Sequence, residues 1–221
     1  MQRVEEIVSH VINSNICADV GCDHGYIGQT ILKTGRAKKV IFTDVSSKCL
    51  KKAEELVDND IRLGKAKAVV CDGLTGVTDA VDTVVIAGMG GEEIIKILSE
   101  FLPRLRVTTL VLQPMKNSDK LRAYLLDGGF SLIRDYTFMD AGKYYDLIKA
   151  QKTDDKIKPY TVDELLFGRE NLLVKGADFI SKCKKEIEDL TLWRSNANIC
   201  EKTASEFNEK IKKLKNIIGE L

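Results

Sequence analysis

The stretch Asp19-Val20-Gly21-Cys22-Asp23-His24-Gly25 follows a short apolar run and opens a helix-like segment. Glycines at such a turn let the backbone come close to a ligand, and a helix N-terminus offers unpaired N–H groups. Asp44, with Val45 beside it, ends a second apolar run. An acid about 20 residues past a glycine turn can accept hydrogen bonds from ribose hydroxyls. A third run ends in Cys71-Asp72-Gly73, which offers a carboxylate and backbone N–H groups to an adenine edge. A fourth ends in Ala87-Gly88-Met89-Gly90-Gly91, where so many glycines imply close approach of the backbone to a ligand or a base. A fifth ends in Gln113-Pro114-Met115, and the Gln113 amide can both donate to and accept from a base edge. The chemistry indicated is the binding of a nucleoside-containing ligand.

Spacing and charge narrow that ligand. A dinucleotide fingerprint requires G-x-G-x-x-G, and Gly21, Gly25 and Gly28 do not fit it. Asp19 and Asp23 flank the turn and would repel a pyrophosphate, whereas they suit a cationic sulfonium and an amino-acid ammonium. An acid-x-Gly-x-x-x-Gly turn with a second acid ending the next strand resembles the class I methyltransferases. That resemblance implies S-adenosyl-L-methionine as cofactor, with contacts from Asp19, Gly21, Cys22, Asp23, His24 and Gly25. Asp44 and Val45, Cys71, Asp72 and Gly73, and Gly88 and Met89 complete the expected set. Two histidines and scattered cysteines make no metal-ligand set, so no metal is expected.

The elements that must position these residues alternate in type. Residues 4–13 have apolar positions at helical spacing, and 16–21, 39–44, 66–72, 83–88 and 109–114 are apolar, β-branched runs. Helical stretches are expected over 26–33, from a Ser46 or Ser47 cap to about Leu63, over 91–101 and over 117–127. Such alternation marks an α/β fold, a parallel sheet covered on both faces. After Gly128-Gly129 the pattern becomes two strands about an Asp140-Ala141-Gly142 turn. The expected architecture is therefore a Rossmann-like, doubly wound sheet ending in an antiparallel hairpin over residues 1–152. Residues 153–221 read as helical. Ile180, Cys183, Ile187 and Leu190, and Ala204, Phe207, Ile211, Leu214, Ile218 and Leu221, form stripes for a coiled-coil hairpin with a loop near 195–201.

The chain has 221 residues, 44% of them hydrophobic, enough for one α/β domain and an appendage. A net charge of +1 lacks the overall basic character of many nucleic-acid binders but allows a local basic face. Basic residues cluster at Lys33, Arg36, Lys38 and Lys39; at Lys116, Lys120 and Arg122; and along 182–185 and 210–215. The six cysteines form no disulfide-like framework, and the first fifteen residues resemble neither a signal peptide nor a membrane span. A cytoplasmic protein without a membrane partner and without oligomerisation is expected.

ADVGCDHGYIG, IAGMGGEEI, LVLQP followed by KLRAYL, and KYYDLI together resemble the bacterial family that methylates N1 of adenine 22 in tRNA (TrmK). The likeness runs from Arg3 through the C-terminal helices. It implies tRNA, in its D-arm region, as partner, with the helical hairpin as a clamp. Substrate contacts are expected from Arg3, His24, Gly90, Gly91, Lys116 and Arg122. Within that reading Asp23 would stabilise the positive charge of the methylated base, Tyr26 would stack on it, and Gln113 would read its edge. Met115 departs from the family pattern, which carries Asn there. Two other readings fit the same residues: a methyltransferase acting on a small molecule or protein, and a non-catalytic tRNA-binding protein.

Overall fold

A computed structural model describes residues 2–103, 106–195 and 200–220. Seven strands form one sheet: β1 (Ser14–Val20), β2 (Ala37–Asp44), β3 (Ala66–Val70), β4 (Thr83–Met89), β5 (Thr109–Pro114), β6 (Phe130–Asp140) and β7 (Lys143–Lys152), in the order β3-β2-β1-β4-β5-β7-β6. The first five are parallel, and β7 pairs antiparallel with both β5 and β6. The strand order reverses at β1, between β2 and β4, which is where open α/β sheets bind ligands.

Side chains along each strand alternate between two cores. Ala18 and Val20, Val84 and Ile86, and Leu110 and Leu112 pack on one face. Cys17, Val85 and Val111 pack on the other. Helices α2 (Tyr26–Lys33), α3 (Ser47–Leu56), α5 (Gly91–Phe101) and α6 (Ser118–Asp127) cross between strands, and α1 (Gln2–Ser9) precedes them. Ser46 accepts the Cys49 N–H and caps α3 as expected.

Two helical boundaries differ from expectation. α1 ends at Ser9 because His10 and Val11 close it with short-range bonds to Ile7 and Val8, and Asn13 takes a positive φ of 49°. The long helix to Leu63 divides at Val57, whose φ of −119° and buried side chain separate α3 from the short α4 (Asp58–Arg62).

The C-terminal region begins with α7 (Val162–Phe167), which carries a Thr161–Glu164 capping box, and α8 (Arg169–Val174). Antiparallel helices α9 (Ala177–Arg194) and α10 (Glu201–Ile218) follow, with Cys183, Ile187, Leu190, Phe207, Ile211, Leu214 and Ile218 in their shared core. Phe179 rather than Ile180 starts the seam, joined by Phe167 and Leu172. Leu221 and most of the expected loop, residues 196–199, lie outside the described residues. Among the described residues, no helix is long and apolar enough to cross a membrane.

These helices also complete the sheet. The outer edge of β6 would present bare N–H groups. Instead Asp135 N–H donates to Glu170 at 2.8 Å, Thr137 N–H to Asn171 at 2.9 Å and Met139 N–H to Asp178 at 3.0 Å.

Candidate functional site

The carboxyl ends of β1, β2 and β4 and the segment after β3 enclose a cavity of about 420 Å³, walled by Arg3 and Val4 of α1 and by Glu93 and Ile97 of α5. Its size lies within the range of about 300–1,000 Å³ common for small-molecule sites. The turn after β1 forms its floor. Gly21 has φ +63°, a conformation L side chains rarely adopt, and the terminal methyl of Met89 packs over it. The turn's N–H groups point inward: Cys22 N–H donates to Thr43, Asp23 N–H to Asp44 and Gly25 N–H to Cys22. The expectation of free N–H groups at this turn is corrected for these three residues.

Three carboxylates stand at successive strand ends. Asp19 is 2% exposed and accepts the Gly28 N–H at 2.8 Å. Burial pushes its carboxyl up to about 7, despite the Gly28 bond. Asp44 accepts the N–H of Asp23 at 3.0 Å and of Ser46 at 2.8 Å, which fixes the plane of its carboxylate. Asp72 is exposed toward the cavity, beside Cys71 and Gly73. Val45 supplies an apolar rim next to Asp44.

At the mouth, Asp23 sits at φ 49° with its carboxylate 2.7 Å from His24 Nδ1. That hydrogen bond holds Asp23 below the usual carboxylate range. His24 Nε2 lies 2.9 Å from Lys52 Nζ, so the ring donates to Asp23 and accepts from Lys52. Both nitrogens are engaged, which corrects the expectation of a substrate contact through them. Its ring lies parallel to that of Tyr26, within 3°, with centroids 6.1 Å apart, and Tyr26 is 54% exposed.

Cavity and turn thus bring together Asp19, Gly21, Cys22, Asp23, His24 and Tyr26, with Asp44, Val45, Cys71, Asp72, Gly73, Gly88 and Met89. Gly25 stands behind the turn as the N-cap of α2 and does not line the cavity.

Several other expected residues have different positions. Gln113 is fully buried; its Oε1 accepts from Arg3 Nε at 2.8 Å, and its Nε2 donates to the Pro114 carbonyl at 3.1 Å and the Met115 sulfur at 3.4 Å. With its amide consumed it cannot read a base edge; it holds Arg3. Arg122 is also fully buried, bonded to Asp135 at 2.8 Å and to the Leu165 carbonyl at 2.9 Å, so it does not meet a tRNA phosphate. Gly91 is packed under Asn117, whose carbonyl would stand 2.3 Å from a Cβ there; its role is to admit that loop, not a base. Gly90 and the exposed Lys116 adjoin at the same place.

The basic clusters do not all converge. Arg36, Lys38 and Lys39 lie at the opposite edge of the sheet, bonded to the Ser9 carbonyl, Asn15 and Asp79. Lys182, Lys184, Lys210 and Lys213 are paired with Asp146, Glu220, Glu186 and Asp163. Sequence reasoning missed Glu93 and Ile97; the signal was their spacing of four, one helical turn, just after the glycine run.

The donor set fits S-adenosyl-L-methionine. Asp44 can take the ribose hydroxyls, Asp72 an adenine edge and Asp19 an ammonium.

A family model described as a methyltransferase domain matches residues 1–148. The crystal structure of Streptococcus pneumoniae Sp1610, provisionally assigned as a tRNA (m1A22) methyltransferase, is 28% identical with a TM-score of 0.88, covering 99% of each chain. That protein has also been solved with S-adenosyl-L-methionine. The Bacillus subtilis tRNA (adenine(22)-N(1))-methyltransferase is 25% identical over 155 residues, 69% of this chain and 65% of its own. Mycoplasma capricolum TrmK, bound to S-adenosyl-homocysteine, shares the fold at 22% identity, with a TM-score of 0.86 over 100% of this chain and 98% of that one. With its glycine turn and three strand-end carboxylates around one cavity, the chain belongs to the methyltransferase-domain family.

Proposed function

We propose that the protein transfers a methyl group from S-adenosyl-L-methionine to N1 of adenine 22 in the D-arm region of tRNA. The observation that carries this reading is the match along the whole chain, C-terminal helices included, to Sp1610. Shared fold alone would leave the substrate open.

The cofactor, when bound, supplies a sulfonium methyl that the in-plane lone pair of N1 attacks, so the N1–carbon bond forms as the carbon–sulfur bond breaks. The protein's part is mostly positioning, which can contribute several kcal/mol. Asp44 and Asp72 hold the nucleoside, and Asp19 faces the ammonium. Asp23, ionised at neutral pH, stands at the mouth to oppose the charge that grows on the base. The exposed ring of Tyr26 offers a stacking face. N1 lies on the pairing edge, so the adenine must leave its pair before reaching this mouth.

Lys116, Asn117, Asp119, Tyr144, Asp146 and Lys182 line a groove of about 350 Å³ reaching α9, where Lys182 is paired with Asp146 and Lys116 is the exposed cation. In this reading the tRNA backbone follows that groove, held between residues 1–152 and the helical unit of residues 153–221. The test is incubation with S-adenosyl-L-methionine and unmodified bulk tRNA, then mass spectrometry of the digested nucleosides. 1-Methyladenosine is expected; another methylated nucleoside, or none, contradicts the reading.

A further inference from the structure

The cavity is electrostatically one-sided. Asp19, Asp23, Asp44, Asp72 and Glu93 line it, and Arg3 is the one Lys or Arg among its described lining residues. The methionine end of the cofactor carries an ammonium and a carboxylate, and five acids leave the second without a counter-charge. The turn offers it little: the N–H groups of Cys22, Asp23 and Gly25 are already donated within the protein.

Arg3 is held in a fixed pose. Gln113 Nε2 is committed to Pro114, so its Oε1 must face Arg3, where it accepts from both Nε and Nη2. The guanidinium lies over the Tyr145 ring, 5.2 Å from its centroid. Nη2 stands 3.2 Å from the place a Gly88 Cβ would occupy, directly over a segment that lines the cavity. The other N–H donors of Arg3 have no hydrogen-bond partner among the described residues. A planar cation with donors to spare, held at the edge of an acidic cavity, is suited to a carboxylate.

We propose that Arg3 binds the carboxylate of the cofactor's amino-acid end, with Gln113 as the positioning residue that aims it. The inference rests on the methyltransferase reading. It reassigns Arg3 from the substrate to the cofactor and makes α1 part of the cofactor site.

The test is equilibrium binding by calorimetry with three probes. S-Adenosylhomocysteine carries both charged groups, its decarboxylated analogue keeps only the amine, and 5′-methylthioadenosine carries neither. The native protein is expected to prefer S-adenosylhomocysteine over the decarboxylated analogue by about 10- to 100-fold, the scale of one or two charge-assisted hydrogen bonds. Arg3→Gln is expected to abolish that preference while binding methylthioadenosine as before. Gln113→Met, which leaves the cation present but unaimed, should reduce the preference only in part. Arg3→Lys, with the charge but not the fork, should also fall between. Should Arg3→Gln and Arg3→Lys both keep the full preference, the carboxylate sits elsewhere, as at the His24–Lys52 rim, and the inference is overturned. A native protein that binds none of the probes would instead overturn the methyltransferase reading itself.

Discussion

The Asp44 carboxylate accepts the backbone N–H of Asp23 at 3.0 Å, so the side chain that ends the second strand holds the turn that follows the first. Its other oxygen is bonded to the Ser46 N–H at 2.8 Å. Asp44→Asn turns an N–H₂ toward one of these two donors. We expect weaker S-adenosylhomocysteine binding, by about tenfold, since a hydrogen bond to a charged group typically contributes about 1.5–3 kcal/mol. Calorimetry alongside thermal unfolding checks this; unchanged affinity would mean that Asp44 does not shape the site.

Asp19 makes cofactor binding depend on pH. Its carboxyl is raised from 3.8 to about 7, chiefly by burial, so the unbound protein holds a proton there below neutrality. A cationic ligand favours the carboxylate. Affinity should therefore rise with pH up to about 7 and then level off, with release of a proton measurable as a buffer-dependent binding enthalpy. The folding linkage has the opposite sign. The folded state binds this proton more tightly than the unfolded chain, so stability of the unbound protein is lost as pH rises from about 4 to about 7. Asp19→Asn keeps the acceptor for Gly28; it should raise the melting temperature at pH 8 while weakening cofactor binding.

Asp23→Asn separates chemistry from architecture. Asn tolerates a positive φ, so the turn survives, whereas Ala would strain it. We expect a kcat loss of about tenfold or more, with S-adenosylhomocysteine affinity changed by less than about threefold. Equal turnover by variant and native protein would remove Asp23 from the chemical step.

The sheet is legible because β1, β2, β4 and β5 are buried on both faces and read as continuous apolar runs; the run 109–114 coincides with β5 to the residue. The cofactor edge followed, since strand-end acids and glycines are local signals. What failed was the fate of polar side chains whose partners are remote in sequence. Gln113 meets Arg3 across 110 positions, and Arg122 meets Asp135 on another element. A clue to the second existed: Arg122 is four residues after buried Ser118 and three before buried Leu125, on the inward face of α6. The division at Val57 was hidden because the charged helical pattern continues through it.

Arg122 and Lys116 should behave as opposites. Arg122 and Asp135 are 0% and 2% exposed, and removing one partner of a buried pair typically costs about 3–5 kcal/mol. Arg122→Met should lower the urea midpoint accordingly and raise hydrogen exchange along β6. Lys116→Ala should leave stability and cofactor binding unchanged while reducing the salt dependence of tRNA affinity by about one phosphate contact. A stable Arg122→Met protein with weakened tRNA binding would reverse these assignments.

The most direct test of the account uses two tRNA transcripts that differ only at position 22, one with adenine and one with guanine. Each is incubated with labelled S-adenosyl-L-methionine, and the methylated position is mapped by mass spectrometry of nuclease fragments. We expect 1-methyladenosine at position 22 of the first and no incorporation into the second. Equal incorporation into both, or none into either by a protein that binds the cofactor, would contradict it.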